Sequence, residues 1–214
     1  KSLGNSPDPL ELIEKFGADG LRFGIMGIAP QGQDIRFSEQ RVALGRNFCT
    51  KLWNACRFRQ MSGPVQAAAS VEAPFARIDP ERTDLQDHSI LGRLADTIRR
   101  VDSAYEEYAF AGITQHVYAF FWNDFCDWYV EVSKAKVGDP RTGPSCLAVQ
   151  DIVLRQTLLL LHPFCPFVTE ELWHLLGFGR KGEHLQDVRP MGAEEFEDAL
   201  EDSGFPLDRG AVAR

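Results

Sequence analysis

Basic, amide and aromatic side chains share one side of a predicted helix in the first third of the chain. With residues 38–61 placed at 100° per residue, one arc of that helix carries Arg46, Asn47, Thr50, Lys51, Asn54, Arg57 and Phe58. No Asp or Glu occurs between Gln40 and Val71, although the 214-residue chain has a formal net charge of −8. This combination suits single-stranded RNA, because cations neutralise phosphates, amides read base edges and a ring stacks on a base.

The same face also has a structural interpretation, which the residues alone leave open. Arg46 and Arg57 could pair with acids of a neighbouring helix, and Phe58 could cover the edge of the core. An exposed helix face normally carries both signs of charge, because Glu–Lys pairs stabilise the helix. The lack of acids between residues 40 and 71 favours a nucleic-acid partner over the main alternative, a helical protein-interaction module.

Other residues that could do chemistry have simpler interpretations. The five cysteines form no C-x-x-C pair, and Cys49 and Cys56 lie on the apolar arc of the same helix, so we expect reduced thiols. His116, His162 and His174 lack the spacing of metal ligands. No apolar run reaches the roughly 18 residues that a membrane-spanning helix needs. We therefore expect no metal site and no membrane partner.

Two carboxylates and two tryptophans also receive structural roles. Asp124 and Asp127 flank a Phe-Cys pair in an aromatic segment, and we expect them to cap helices or to pair with arginines. Trp128 and Trp173 are predicted to anchor the core rather than to stack on bases.

The elements that position these residues are predicted to be helices, because apolar residues recur at helical spacing through most of the chain. We predict a first helix that begins after the Asp8-Pro9 cap and ends at Gly17, and a second short helix capped by Asp19. A long helix should run from Ser38 to about Met61, before a connection over residues 64–83. Further helices are expected from Asp84 to Gly112, through the aromatic segment, over about 146–161, and from a Thr169 cap to Gly177. The predicted fold class is an all-α helical bundle.

Four stretches of the chain resemble class I aminoacyl-tRNA synthetases. The opening "KSLGNSPDPLELIEKFGADGLRFG" resembles the segment that follows the nucleotide-binding fold in this family. "APQGQDIRFSEQRVALGRNFCTKLWNACRF" resembles the valyl branch more than the isoleucyl or leucyl branches, which remain an alternative. "FWNDFCDWYVE" and "LLHPFCPFVTEELW" resemble later helices of the anticodon-binding bundle. Together these stretches cover most of residues 1–176 in the family's order, and the tail after Gly177 matches weakly.

The resemblance implies three regions and a role for the first residues. Residues 1–44 would be a mostly helical stem-contact region, residues 45–177 the anticodon-binding bundle, and residues 178–214 a partly helical extension. Lys1 and Ser2 would be the last residues of the Lys-Met-Ser-Lys-Ser loop, with the catalytic domain upstream. In the family, the lysine matching Lys1 stabilises the ATP triphosphate as the amino acid attacks it.

The resemblance also falls on the helix face that the residues single out. Lys51 and Phe58 match positions at which the valyl branch contacts the anticodon loop. For Arg46, Asn47, Asn54 and Arg57 the argument is the shared face.

A parent enzyme of this family would activate valine with ATP and Mg²⁺ and transfer it to tRNA(Val), as a cytoplasmic and monomeric protein. This chain carries neither a catalytic nor an editing domain, so alone it is expected to be inactive and to hold no cofactor.

Overall fold

The computed structural model describes residues 7–29, 37–65, 74–179 and 182–205, which contain helices and no strand. The helices are α1 (Pro9–Phe16), α2 (Ala18–Met26), α3 (Glu39–Met61), α4 (Leu85–Glu106), α5 (Phe110–Ala119), α6 (Val130–Val137), α7 (Gly143–Leu161), α8 (Pro166–Leu175) and α9 (Ala193–Asp202). A π-helical segment, Phe120–Tyr129, joins α5 to α6, and 3₁₀ turns lie at Phe75–Arg77, Pro80–Arg82 and Leu185–Asp187. The prediction of an all-α bundle is confirmed.

Local sequence signals set several helix boundaries where we predicted them. The carboxylate of Asp8 accepts a hydrogen bond of 2.9 Å from the backbone N–H two residues on, and Pro9 occupies the first turn of α1. Gly17, with φ of +76°, ends that helix in a conformation that favours glycine. The long helix begins after Ser38 and ends at Met61.

The predicted caps of two other helices were wrong. Asp19 does not cap α2; it lies in the first turn, and its carboxylate accepts backbone hydrogen bonds from Phe167 (3.4 Å) and Val168 (2.6 Å) at the start of α8. Thr169 lies inside α8, which begins at Pro166. A side chain from a distant helix therefore satisfies the first N–H groups of α8, and sequence spacing carries no signal of that contact.

Helix α4 ends at Glu106, earlier than the predicted end at Gly112. Tyr108, with φ of +56°, lies at the break, and Gly112 lies inside α5. The helical spacing of apolar residues from Leu91 to Val101 continues to Tyr105 and Tyr108 and predicts that both are core residues, yet they are 38% and 72% exposed. The stripe of buried residues therefore ends at Ala104, two residues before the end of α4.

The centre of the bundle is α7, whose residues are nearly all buried. Among the described residues it is the one helix that is long and apolar enough to cross a membrane by length and composition, but it lies inside the protein. The polar side chains of Asp151 and Arg155 are buried on it, and each has hydrogen-bond partners on other elements.

Glycines let α2 approach the long helix α3 closely. A Cβ added to Gly45 would lie 2.1 Å from the carbonyl oxygen of Gly20, and one added to Gly24 would lie 2.7 Å from Cα of Val42. No larger residue fits these positions without moving a backbone. The contact fixes one side of α3 against α2 and leaves the opposite side outward.

The C-terminal acidic helix α9 packs its apolar side on the bundle. Phe196 and Leu200 are fully buried, and the ring of Phe196 contacts that of Phe75 edge to face at 5.5 Å. The acidic stretch "EEFEDALED" of the predicted extension therefore forms a surface helix, with its acidic residues on the other side. The division of the chain at residues 44 and 177 stays a prediction.

Candidate nucleic-acid interface

The side of α3 that the sequence singled out lies at the surface. Arg46, Asn47, Asn54 and Arg57 are exposed. Within the described part of the chain, neither arginine forms an ion pair; the Arg46 guanidinium lies 5.9 Å from the ring centre of Phe16. In the described residues, therefore, these arginines do not pair with acids of a neighbouring helix, as the structural interpretation proposed.

Lys51 lies at the edge of this face, where α3 meets the π-helical segment. Its Nζ is 2.7 Å from Oδ1 of Asp127 and 5.0 Å from the ring centre of Trp122. The hydrogen bond to Asp127 raises the pKa of the Lys51 amine, which therefore stays protonated at neutral pH. The side chain keeps 32% of its exposure, so a phosphate or a base edge can still reach the amine.

An aromatic pair lies beside this lysine. The rings of Tyr118 and Trp122 stack with centres 5.4 Å apart and planes at 18°, and both side chains are partly buried. The segment from Phe120 to Tyr129 has i→i+5 hydrogen bonding, as in the bond from Val130 N–H to the Phe125 carbonyl. Wider turns of this kind change which side chains face a neighbouring helix.

Phe58 lies at the border between this face and the core. The ring is partly buried and packs against the main apolar cluster of the bundle. Both interpretations of Phe58 thus describe part of its environment, since one portion of the ring contacts the core and another is accessible.

The opposite arc of α3 is the core side, with one exception. Val42, Phe48, Leu52 and Cys56 are buried, as their positions on the apolar arc predict, whereas Leu44 on the same arc is 52% exposed. Leu44 borders a shallow cavity of about 280 Å³ between α2, α3 and α5.

Sequence reasoning missed the residue that anchors the end of α3. Arg59 is fully buried, and its Nε and Nη2 atoms lie 2.6 and 2.9 Å from the two carboxylate oxygens of Asp151 on α7. Arg77 donates to the same carboxylate at 3.0 Å, and the Gly63 carbonyl accepts from Arg59. The signal was present, because at 100° per residue Arg59 falls on the apolar arc of α3.

Of the two acids in the aromatic segment, Asp124 pairs with an arginine as predicted, whereas Asp127 pairs with a lysine. Asp124 lies 2.8 Å from Nη1 of Arg93, and Asp127 pairs with Lys51. Burial raises the pKa of the Cys126 thiol, which lies between them, to about 12, so it is a poor nucleophile. All five cysteines are free thiols. Lys1 and Ser2, for which the resemblance implies catalytic roles, lie outside the described residues.

Comparison with known protein families identifies the bundle. A family model described as the anticodon-binding domain of tRNA ligase matches residues 87–203, which span α4 to α9. The chain belongs to this family. The resemblance noted in the sequence is thereby confirmed, and the match extends into the tail that we judged to be weakly similar.

Relatives of this anticodon-binding domain are enzymes named valine–tRNA ligase. The Cereibacter sphaeroides enzyme is 41% identical over 201 residues, which is 94% of this chain and 20% of the relative. The Porphyromonas gingivalis enzyme is 42% identical over 188 residues, which is 86% of this chain and 20% of the relative. The chain spans about a fifth of the length of these relatives.

A solved structure shares the fold of the whole chain. It is the ternary complex of an Agrobacterium radiobacter LeuRS with tRNA and LeuAMS. The structural alignment covers 99% of this chain and 22% of the LeuRS chain, with a TM-score of 0.63. The sequence identity is 20%, so this likeness concerns the fold alone.

Proposed function

We propose that this chain is the tRNA-binding part of a valine–tRNA ligase, and that the outward face of α3 contacts the anticodon loop of tRNA(Val). The name shared by relatives about 41% identical over most of the chain supports the choice of amino acid. The observation that carries the choice of face is an exposed, acid-free helix surface on an otherwise acidic protein.

The chemistry of that face matches an unpaired RNA loop. The guanidinium of Arg57 is exposed and forms no ion pair with the described residues, so it is available to a phosphate or to the plane of a base. Asn47 and Asn54 each offer one acceptor and two donors to base edges. The accessible part of Phe58 and the amine of Lys51 lie along one edge of the same face, where a base can stack and its phosphate can be neutralised.

The whole enzyme is part of the proposal. The remaining four fifths of the parent would supply the nucleotide-binding and editing domains, with ATP as a substrate and Mg²⁺ as a cofactor, and Lys1 and Ser2 would act on the ATP triphosphate. We propose a cytoplasmic monomer. On its own, the chain should show no valine-dependent ATP–pyrophosphate exchange.

Binding of a labelled tRNA(Val) anticodon stem-loop to this chain tests the choice of face. Arg57→Ala should weaken binding several-fold, because one cation of the contact face is lost. Arg141→Ala is the matched control, since Arg141 is exposed before α7 and, like Arg57, forms no ion pair with the described residues. Equal affinities of the two variants and the unaltered chain would place the RNA contact on another face. A stem-loop with a different anticodon should bind less tightly than that of tRNA(Val).

A further inference from the structure

Three side chains of the types that bind metals meet on the surface beside α8. Glu170 and His174 lie one helical turn apart on α8, and His184 belongs to the segment that follows. Oε1 of Glu170 lies 3.0 Å from Nε2 of His174 and 2.9 Å from Nδ1 of His184. Their ligand atoms all lie within 4.8 Å of one another.

The carboxylate at the centre of this cluster is held in place by the backbone. The N–H of Leu185 donates to Oε2 of Glu170 at 2.9 Å, so Oε1 faces the two imidazole rings. The Glu170 side chain is 26% exposed, against 45% for His174 and 63% for His184. A fixed carboxylate with a second-sphere backbone donor and two accessible rings is an arrangement common around bound metals.

The spacing of the ligand atoms is close to that of a zinc site. Bonds of about 2.0–2.1 Å in a tetrahedral site place neighbouring ligand atoms about 3.3 Å apart. The two separations from the Glu170 oxygen are a few tenths of an ångström shorter, the two imidazole nitrogens lie within 4.8 Å of each other, and rotation of the exposed rings can adjust these distances. Two imidazoles and one carboxylate also leave a fourth position for water, as in zinc sites with three protein ligands.

We propose that Glu170, His174 and His184 bind a zinc ion that ties α8 to the segment carrying the last helix. Helical spacing puts Glu170 and His174 on one face of α8, but no sequence pattern brings His184 to them, because it lies ten residues beyond His174. The site is independent of the proposed RNA contact, which lies on α3. Its effect would be on stability, since a metal that binds the folded chain and not the unfolded chain shifts the unfolding equilibrium.

Titration of the chelator-treated chain with Zn²⁺ tests the proposal, with calorimetry to count the ions bound. We expect one ion per chain and a melting temperature raised by roughly 5–10 °C at a hundredfold excess over the dissociation constant. Co²⁺ serves as a spectroscopic probe, because thiolate ligands would add an intense near-ultraviolet band that imidazole and carboxylate ligands lack.

Single substitutions assign the ligands. His174→Ala and His184→Ala should each lower the affinity for Zn²⁺ at least tenfold. Glu170→Gln should do the same while keeping an acceptor for the Leu185 N–H. His116→Ala is the matched control and should bind Zn²⁺ normally. The proposal is overturned if the unaltered chain takes up no zinc, or if the His174 and His184 variants bind it as tightly as the unaltered chain.

Discussion

Nζ of Lys51 and Oδ1 of Asp127 lie 2.7 Å apart, and this ion pair joins α3 to the π-helical segment. It puts one acid beside a helix face that has none of its own. Asp127 holds the Lys51 amine in one position, which would favour contact with an RNA phosphate. The same carboxylate also neutralises the charge of the amine, which would weaken that contact. The net effect can be measured.

Asp127→Asn should tighten binding of the tRNA(Val) anticodon stem-loop. The substitution frees the charge of Lys51 and removes a carboxylate that repels phosphate, so the salt dependence of binding should become steeper by about one counterion. Lys51→Ala should change both quantities in the opposite direction. Anisotropy titrations at several salt concentrations measure this.

Asp124→Asn is the control, because that acid pairs with Arg93 rather than with a residue of α3. Both partners of the Lys51–Asp127 pair are partly exposed, so its loss should cost less than about 1 kcal/mol of stability. If Asp127→Asn weakens RNA binding instead, its role is to position Lys51.

Arg59→Ala should destabilise the bundle strongly, while Arg57→Ala should not. The first leaves the carboxylate of Asp151 buried with one remaining partner, Arg77, and breaking a buried pair in this way typically costs about 3–5 kcal/mol. The second removes an exposed cation, for which a change within about 0.5 kcal/mol is expected. Urea unfolding followed by circular dichroism compares these two sites, which lie two residues apart on α3. A small loss for Arg59→Ala would mean that water or a rearranged Arg77 satisfies Asp151.

Residue patterns predicted the helices and the outward face of α3, because both depend on local spacing. They did not predict contacts that form only when distant parts of the chain meet. Asp19 caps α8 rather than its own helix, Arg59 pairs with an acid 92 positions away, and His184 reaches Glu170 across a turn. Each of these is a polar group whose hydrogen-bond partner comes from a distant part of the chain, and helical periodicity does not predict that partner.

Stability should fall as the pH is lowered from about 7.5 to about 5. Burial lowers the pKa of His162 below its usual value, although Glu170 and Asp19 oppose the shift. The unfolded chain then binds more protons than the folded chain, so the free energy of unfolding decreases as pH falls through the unfolded-state pKa of about 6.5.

His162→Gln tests the origin of that slope, since glutamine keeps a hydrogen-bonding group near the Thr169 hydroxyl, which lies 2.8 Å from Nδ1 of the histidine. The substitution should flatten the pH dependence measured by urea unfolding between about pH 5 and 7. His116, whose pKa is lowered by burial and by the charge of Arg100, should account for part of the pH dependence that remains in the His162 variant. An unchanged slope in the His162 variant would assign the effect to other groups.

Phe58 separates the two interpretations of the α3 face, because substitutions can remove its ring without removing its apolar contact. Phe58→Leu keeps most of the packing against the core, so it should cost about 1 kcal/mol of stability, whereas Phe58→Ala should cost about 1–3 kcal/mol. If the ring stacks on an anticodon base, both variants should lose a similar part of the binding energy, about 1–3 kcal/mol, with little change in the salt dependence. Phe58→Trp keeps a stacking surface and should bind the stem-loop normally. If Phe58→Leu binds RNA like the unaltered chain while Phe58→Ala is weakened in proportion to its lost stability, then the ring is a core residue and the stacking platform lies elsewhere on the face.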